Sequence, residues 1–528
     1  MTPRTRIILT AVALVPVLGS VTFADFLVYK LGGSGGQQAP GYGPPPGAGG
    51  MRGRRGRSGA RAAETVQQEA PEGLQIILQG SIKINAGGTM TFTHPSLKES
   101  VSFNAWQVQN KDVERRVAAT PKEEFRRVLG QAGKDPDAIM KAAVWALKKG
   151  LLNEFYAAAD KALDLAPGHE AALKVKELKR HIDEPLADNP ATEKELRAIL
   201  PRKTMRTETS KHFLLLTDTE QKPEKGRRKN RAKERLDLLE KVYESFLLLF
   251  HAQDVQLDIP TERLKVVLFK EEQDFNEFAK GLNPTLISVA GFWEPISNVS
   301  YFYDHGTTEI FKLLEKLQDE LNKDAAEAKR NRDVETIQLV KVINMLIDIE
   351  RENADITVVS HEATHQMAGN TGLLPRHVEI PSWVHEGLAT YFEAPGEATW
   401  AGIGAVNELR LTYYRALKDD RLHSNIDFIV GDQIFDYART HGAKLHGYAQ
   451  AWALTHFMLE NHVQEFVQFY RMLGEMPPDV TLNPDLLQEL FSRVFGSDHK
   501  ALDGEWRAYM RNLKTDLERL EDSAKKAK

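Results

Sequence analysis

The stretch that decides the fold of this chain is His361-Glu362-Ala363-Thr364-His365. In a helix, positions four apart lie on one face about one turn apart, so both imidazoles can reach a single ion. Neutral imidazole is a good zinc ligand, and the intervening glutamate can lean toward a water on the same ion. Because the chain contains no cysteine, the only strong metal ligands left to it are His, Asp and Glu.

Two known patterns supply the third ligand of such a site. In the first, a histidine follows within the same run after a glycine, but this chain has Ala368 and Thr371 at those two positions. In the second, a glutamate comes from a later helix. Glu386 fits the second pattern, since it lies 21 residues after His365 within the segment Pro381–Glu393. Two histidines and one carboxylate leave a fourth tetrahedral position for water, which catalysis requires.

These two motifs, His-Glu-Ala-Thr-His and Trp-Val-His-Glu-Gly-Leu-Ala-Thr-Tyr-Phe-Glu, resemble those of the gluzincin metallopeptidases, the group that contains thermolysin and aminopeptidase N. The chain is also similar to an uncharacterised bacterial family of gluzincin-like proteins, known as a domain of unknown function. The resemblance covers residues 205–475. It implies an α+β, mostly helical fold with a thermolysin-like core and a small mixed sheet.

The resemblance also implies a role for each matching residue. The three ligands would hold one Zn2+ per chain, and Glu362 would be the general base that moves a proton from the attacking water to the leaving amine. Related enzymes stabilise the oxyanion with a Tyr or His from a later helix. We assign this role to Tyr448 in preference to His446; the alternative is that Tyr448 is only a packed aromatic residue.

Other residues are weaker candidates. Gly291-Phe292-Trp293 resembles the edge strand along which gluzincins align an extended peptide, although an ordinary core strand has the same pattern. Glu393 could orient a ligand histidine from behind, or lie on a solvated helix face. His385 is expected behind the ligands or at the surface. A Gly-x-Met-Glu-Asn run, which binds a free amino terminus in the aminopeptidase branch, does not precede His361.

The N-terminal residues have the composition of a targeting segment followed by a linker. Two arginines precede the apolar stretch 7–29, so residues 1–30 are predicted to be a signal peptide or an N-terminal membrane anchor. Thr22-Phe23-Ala24 could be a cleavage site. Residues 31–70 are rich in Gly, Pro and Arg and are predicted to be a disordered linker.

The middle of the chain divides into three predicted regions. Alternating short runs predict a small β unit over residues 71–110. Residues 111–200 show helical periodicity and resemble a single tetratricopeptide-like repeat, which could bind a protein partner or act as a spacer. Residues 205–520 are predicted to form the gluzincin-like metallopeptidase domain, with a helical insertion at 308–348 that could cap the cleft.

These patterns predict an exported zinc metallopeptidase, periplasmic or otherwise in the cell envelope, or secreted, acting on a peptide or protein. Two alternatives remain open: a catalytically silent binding or scaffold module tethered to the membrane, and a zinc amidase that acts on a non-peptide cell-wall component. The formal net charge of −5 disfavours a nucleic-acid partner.

Overall fold

Five antiparallel strands form the N-terminal sheet. The computed structural model describes residues 25–30, 75–94, 96–97, 99–200, 204–223, 229–286, 289–393, 395–396 and 398–526. The strands of this sheet are β1 (Asp25–Lys30), β2 (Gln75–Ile84), β3 (Met90–Thr93), β4 (Ser100–Phe103) and β5 (Val113–Val117), with helix α1 (Ala105–Gln109) before β5. Their order is β4-β3-β2-β1-β5. Strand β1 is therefore paired along both edges, and four of its six side chains are buried apolar groups.

Strand β1 corrects two predicted boundaries. Residues 25–30 belong to a folded sheet, so the predicted leader or anchor, residues 1–30, extends too far at its C-terminal end. Lys30 lies opposite Gln75 in the strand register, so residues 31–74 connect two adjacent strands. The predicted linker, residues 31–70, therefore does not separate a leader from the folded part. Residues 1–24 and 31–74 lie outside the described residues, and no helix within the described ranges is long and apolar enough to cross a membrane.

Five helices follow the N-terminal sheet, and two of them form the predicted helix pair. The helices are α2 (Pro121–Ala132), α3 (Pro136–Lys148), α4 (Leu152–Leu165), α5 (Glu170–Asp183) and α6 (Pro190–Ile199). Buried alanines line the contact between α3 and α4, among them Ala143 and Ala159. The turn between them contains Gly150, whose φ of +68° glycine adopts without strain. The pair shares one continuous apolar core with the rest of the chain, so packing does not stop at the predicted boundary near residue 200.

A second sheet of five strands supports the candidate site. Its strands are β6 (Arg206–Thr209), β7 (Phe213–Thr217), β8 (Leu264–Phe269), β9 (Phe292–Glu294) and β10 (Val299–Tyr303), in the order β6-β7-β8-β10-β9. Strands β7, β8 and β10 are parallel, and both edge strands are antiparallel to their neighbours. Helix α7 (Arg231–His251) connects β7 to β8, and α8 (Glu272–Leu282) follows β8. The mixed sheet predicted for this region is confirmed.

The predicted insertion at 308–348 is a helical hairpin. Helix α9 (Glu309–Asn331) ends before Arg332, which has a φ of +59°, and α10 (Val334–Asn370) then runs for 37 residues. The first half of α10 packs with α9 against the N-terminal sheet, and its second half enters the main core. One continuous helix thus connects the insertion directly to the metal-binding motif.

The remaining elements are helical except for one short hairpin. They are α11 (Ser382–Phe392), β11 (Pro395–Gly396), β12 (Thr399–Trp400), α12 (Glu408–Leu417), α13 (Ile426–Val430), α14 (Gln433–Thr440), α15 (Lys444–Asn461), α16 (Val463–Gly474), α17 (Pro484–Phe495), α18 (His499–Asn512) and α19 (Asp516–Lys526). The predicted fold class, α+β and mostly helical, is confirmed.

Candidate metal centre

Helix α10 brings the two motif histidines together as their spacing predicts. The ring centroids of His361 and His365 are 4.8 Å apart, and their Nε2 atoms are 3.2 Å apart. The flanking hydroxyls of Ser360 and Thr364 each donate to a carbonyl one turn earlier in the same helix. Because these hydroxyls are satisfied within the helix, they do not compete for the imidazole nitrogens.

Helix α11 places Glu386 against both histidines. Its Oε2 atom is 3.0 Å from Nε2 of His361 and 3.9 Å from Nε2 of His365. The next residue, Gly387, permits the close approach of α11 to α15, because a Cβ there would lie 2.2 Å from Oγ1 of Thr455. Gly387 thus holds α11, which carries Glu386, tightly against α15.

The three donor atoms fit a tetrahedral zinc ion. Ligand atoms held 2.0–2.1 Å from such an ion lie about 3.3 Å from one another. The pairwise distances among His361, His365 and Glu386 are close to that value, at 3.2, 3.0 and 3.9 Å. Oε2 of Glu386 is buried and lacks hydrogen-bond geometry toward any described group, His361 included, which is unfavourable unless a cation neutralises it.

Glu393 contacts His361 through Nδ1, the ring nitrogen that does not face Glu386. Its Oε1 atom is 2.9 Å from Nδ1 of His361, which fits the predicted role of orienting that histidine. Its side chain is 3% exposed, so the alternative prediction, a position on a solvated helix face, is wrong. Arg410 on α12 donates to both oxygens of Glu393 over 2.9–3.2 Å, and Nδ2 of Asn407 donates to Oε2 over 3.2 Å. A carboxylate that accepts from Nδ1 leaves Nε2 of the imidazole free for a metal.

The two carboxylates nearest the histidines have opposite environments. Burial and the nearby charge of Glu386 raise the pKa of Glu362 to about 7. Burial would also raise the pKa of Glu386, but the adjacent His361 ring outweighs it and lowers that pKa to about 2. The two carboxyls therefore differ, since Glu386 ionises well below neutral pH and Glu362 can exchange a proton near it.

The predicted edge strand lies directly beside Glu362. The backbone N–H of Trp293 lies near the Glu362 carboxylate and acts to lower its pKa, against the effect of burial. A Cβ at Gly291 would lie 3.3 Å from Cγ of Glu362 and 2.8 Å from Val358, so only glycine permits this approach. Strand β9 is an edge strand, as predicted, but the side chains of Phe292 and Trp293 are at most 9% exposed. Only its backbone is therefore available to an extended ligand.

Tyr448 and His446 point in different directions from the start of α15. The Tyr448 ring is 6.3 Å from the His361 ring, and its hydroxyl has no hydrogen-bond partner among the described residues. Burial and the charges of Glu386 and Glu362 raise the pKa of Tyr448 above its usual value, which keeps the hydroxyl protonated. Nδ1 of His446 instead lies 3.2 Å from the carbonyl of Tyr413.

His385, which was expected behind the proposed ligands or at the surface, lies beside one of them, whereas Arg410 was not identified from the sequence. His385 stacks on His365 with a centroid distance of 4.4 Å, and on its other side lies the Trp293 ring at 6.1 Å. Arg410 lies on a helix that carries no recognisable motif. A lone arginine 17 residues after Glu393 gives no periodic or spacing signal that could have identified it.

A comparison with protein families finds similarity over the part of the chain that contains this site. The family model described as a protein of unknown function (DUF1570) matches residues 355–479, which include the motif histidines, Glu386, Arg410 and Tyr448. The match covers less than half of the chain. No curated protein and no solved structure matches the chain.

Proposed function

We propose that this protein is a zinc-dependent metallopeptidase that hydrolyses internal peptide bonds. The observation that carries the proposal is the convergence of His361, His365 and Glu386 at zinc-ligand distances, with the Glu362 carboxylate beside them. When bound there, zinc supplies a water whose pKa is lowered to about 7. The resemblance of the two motifs to those of the gluzincins supports the same conclusion.

The side chains around this triad have distinct proposed roles. Glu362, which lies beside the Gly291–Trp293 segment, takes a proton from the attacking water and passes it to the leaving amine. The Tyr448 hydroxyl, which has no partner among the described groups, donates a hydrogen bond to the oxyanion that develops on the scissile carbonyl. Glu393 holds Nδ1 of His361 and thereby fixes the direction of Nε2.

Substrate alignment is assigned to the backbone of β9. Its outer edge is unpaired among the described strands, and an extended peptide can add to such an edge by main-chain hydrogen bonds. The basic residues before position 7 and the apolar run after it support export to the cell envelope or beyond. A peptide or protein substrate outside the cytoplasm is therefore part of the proposal.

Zinc binding tests the first part of the proposal. Full-length protein is expected to contain about one zinc per chain by plasma mass spectrometry, since the three donors fit a single ion. Glu386→Ala is expected to lose the metal because two imidazoles alone do not complete the site. Wild-type protein that takes up no zinc at neutral pH would refute the metal centre, and full retention by Glu386→Ala would place the third ligand elsewhere.

Hydrolysis of peptides blocked at both ends tests the second part. Cleavage of acetylated and amidated peptides is expected from an endopeptidase, and Glu362→Gln should lower kcat by about 10²–10⁴-fold while zinc stays bound. Glu335→Gln, on the exposed start of the same helix, is the matched control and should leave kcat unchanged. Equal activity in Glu362→Gln and the control would show that Glu362 is not the base.

A further inference from the structure

Arg410 contacts both Glu393 and Tyr448. Its guanidinium donates to both Glu393 oxygens, with Nε and Nη2 at 3.2 and 3.0 Å from Oε2 and Nη2 at 2.9 Å from Oε1. The Cζ atom of the same guanidinium lies 5.1 Å from the centre of the Tyr448 ring. Arg410 thus contacts the group behind the metal ligand and the proposed oxyanion donor simultaneously.

The contact with Glu393 has a clear electrostatic reason. Glu393 is 3% exposed, and a buried carboxylate is unfavourable unless it is paired and hydrogen-bonded. Arginine suits this position because its planar fork can bind a carboxylate through two donors at once, which lysine cannot do. The pair keeps Glu393 ionised and turned toward Nδ1 of His361, 2.9 Å away.

The contact with Arg410 adds to the contacts that the Tyr448 ring makes with other side chains. Phe435 packs against Tyr448 edge-on with centroids 5.5 Å apart, and Nζ of Lys444 lies 5.7 Å from the ring centre. Lys444 is exposed, whereas Arg410 is 9% exposed and anchored at Glu393. A cation over a tyrosine face stabilises that ring position.

We infer that Arg410 is a positioning residue that couples the direction of the metal ligand His361 to the position of the Tyr448 hydroxyl. The inference rests on the proposed function and adds a residue that the motifs do not contain. Without Arg410, Glu393 loses its counter-charge and His361 loses its fixed direction. Tyr448 loses the guanidinium that packs against its ring. Metal affinity and turnover therefore decline through one side chain that touches neither metal nor substrate.

Zinc affinity provides the first test and needs no substrate. Competition against a chromophoric chelator is expected to show about 10- to 100-fold weaker zinc binding in Arg410→Met than in the wild type. Arg410→Lys keeps the charge but cannot bind a carboxylate through two donors at once, so its zinc affinity should lie between those of the wild type and Arg410→Met. Arg415→Met is the matched control, because Arg415 lies on the same helix and is also paired with a carboxylate, Glu518, but is remote from His361.

Turnover provides the second test and separates positioning from general stability. Arg410→Met should lower kcat with little change in KM, and Tyr448→Phe should lower kcat without changing zinc affinity. If Arg410 positions Tyr448, the double variant loses less kcat than the product of the two single losses. Methylguanidinium added to Arg410→Ala should restore part of both zinc affinity and kcat, which a misfolded variant would not permit.

The outcomes distinguish this inference from the proposed function. If wild-type protein binds no zinc, both are refuted. If the wild type binds zinc and cleaves peptides but Arg410→Met matches Arg415→Met in zinc affinity, only the role of Arg410 is refuted. Fully independent effects of the Arg410 and Tyr448 substitutions on kcat would likewise refute the coupling. Should Arg410→Met not fold, the Arg410→Lys titration decides the question by the same criterion.

Discussion

The two halves of helix α10 serve different purposes within one uninterrupted element. In the first half, apolar residues such as Val342, Ile343 and Leu346 pack against α9 and the N-terminal sheet. In the second half, several buried positions are occupied by polar groups, including Asp355, Glu362 and Gln366, and Asp355 and Gln366 have hydrogen-bond partners. The helix therefore changes from a mainly apolar contact to one rich in buried polar groups within about 20 Å of rise.

The difference shows how a site rich in buried polar groups can be held rigid. Buried carboxylates and imidazoles cost free energy, and the apolar half of the same helix contributes stability that offsets this cost. The N-terminal sheet then acts on the site indirectly, by fixing the direction of α10. Changes in the first half should alter stability alone, and changes in the second half should alter the site.

Removal of β1 should have the largest effect. A chain that lacks residues 1–30 loses an interior strand of the sheet and four buried apolar side chains. Each of these side chains is worth about 1.5–3 kcal/mol, so the loss approaches the whole stability of a typical domain. Such a chain is expected to aggregate. A chain that begins at Asp25 keeps β1 and is expected to unfold cooperatively. Equal melting curves for the two chains by circular dichroism would show that β1 does not belong to the core.

The next largest effect is expected from replacing Asp355, because this residue lies where the two halves of α10 meet. Asp355 is fully buried and paired with Arg235, Arg231 and His305, so Asp355→Asn should lower the free energy of unfolding by about 3–5 kcal/mol. Denaturant titration at neutral pH measures this loss. Asp319→Asn on the exposed face of α9 is the control and should unfold like the wild type.

The same residue gives the expected pH dependence. Burial would raise the pKa of Asp355, but the Arg235 charge and the His305 hydrogen bond outweigh burial and lower it. A lowered folded-state pKa stabilises above the unfolded value, about 3.9, and this contribution is lost as the pH falls further. Wild-type stability should therefore decline more steeply below about pH 4 than that of Asp355→Asn; parallel declines would contradict the pairing.

A cavity in the apolar half should separate stability from metal binding. Leu346 is 2% exposed within the N-terminal core, so Leu346→Ala should cost about 2–5 kcal/mol by denaturant titration. Zinc affinity of the folded protein should stay within about twofold of the wild type, since no ligand touches this core. A large loss of zinc affinity would instead mean that the two halves of α10 are strongly coupled.

The smallest effect is expected from a substitution at Gly369, near the C-terminal end of α10. A Cβ at Gly369 would lie 2.5 Å from the Trp293 ring, so Gly369→Ala should displace β9. Overpacking should lower the free energy of unfolding by about 1–3 kcal/mol, and the better helix propensity of alanine should offset part of this loss. We expect a raised KM for peptides with zinc affinity unchanged. An unaltered KM would argue against alignment of substrate along β9.

The proposed metal triad was predictable from the sequence because its geometry is local. His361 and His365 share one helix face by their spacing alone, and Glu386 lies at the interval that a second helix requires. The parallel strands β7, β8 and β10 were also predictable from their apolar runs, whereas β6 has no such run. Residues 25–30 were not, since an apolar segment after a basic start has the same composition whether it enters a membrane or pairs with a distant strand.

The sequence by itself determined the α+β class and predicted the proposed ligand set and the proposed base, since helix periodicity and residue chemistry suffice for each. Only the tertiary structure decided that Glu393 is buried behind His361, that Arg410 joins it to Tyr448, and that β1 pairs with both β2 and β5 in the N-terminal sheet. The physical reason is distance along the chain. Contacts between remote segments depend on how whole elements pack, and no local pattern of residues encodes them.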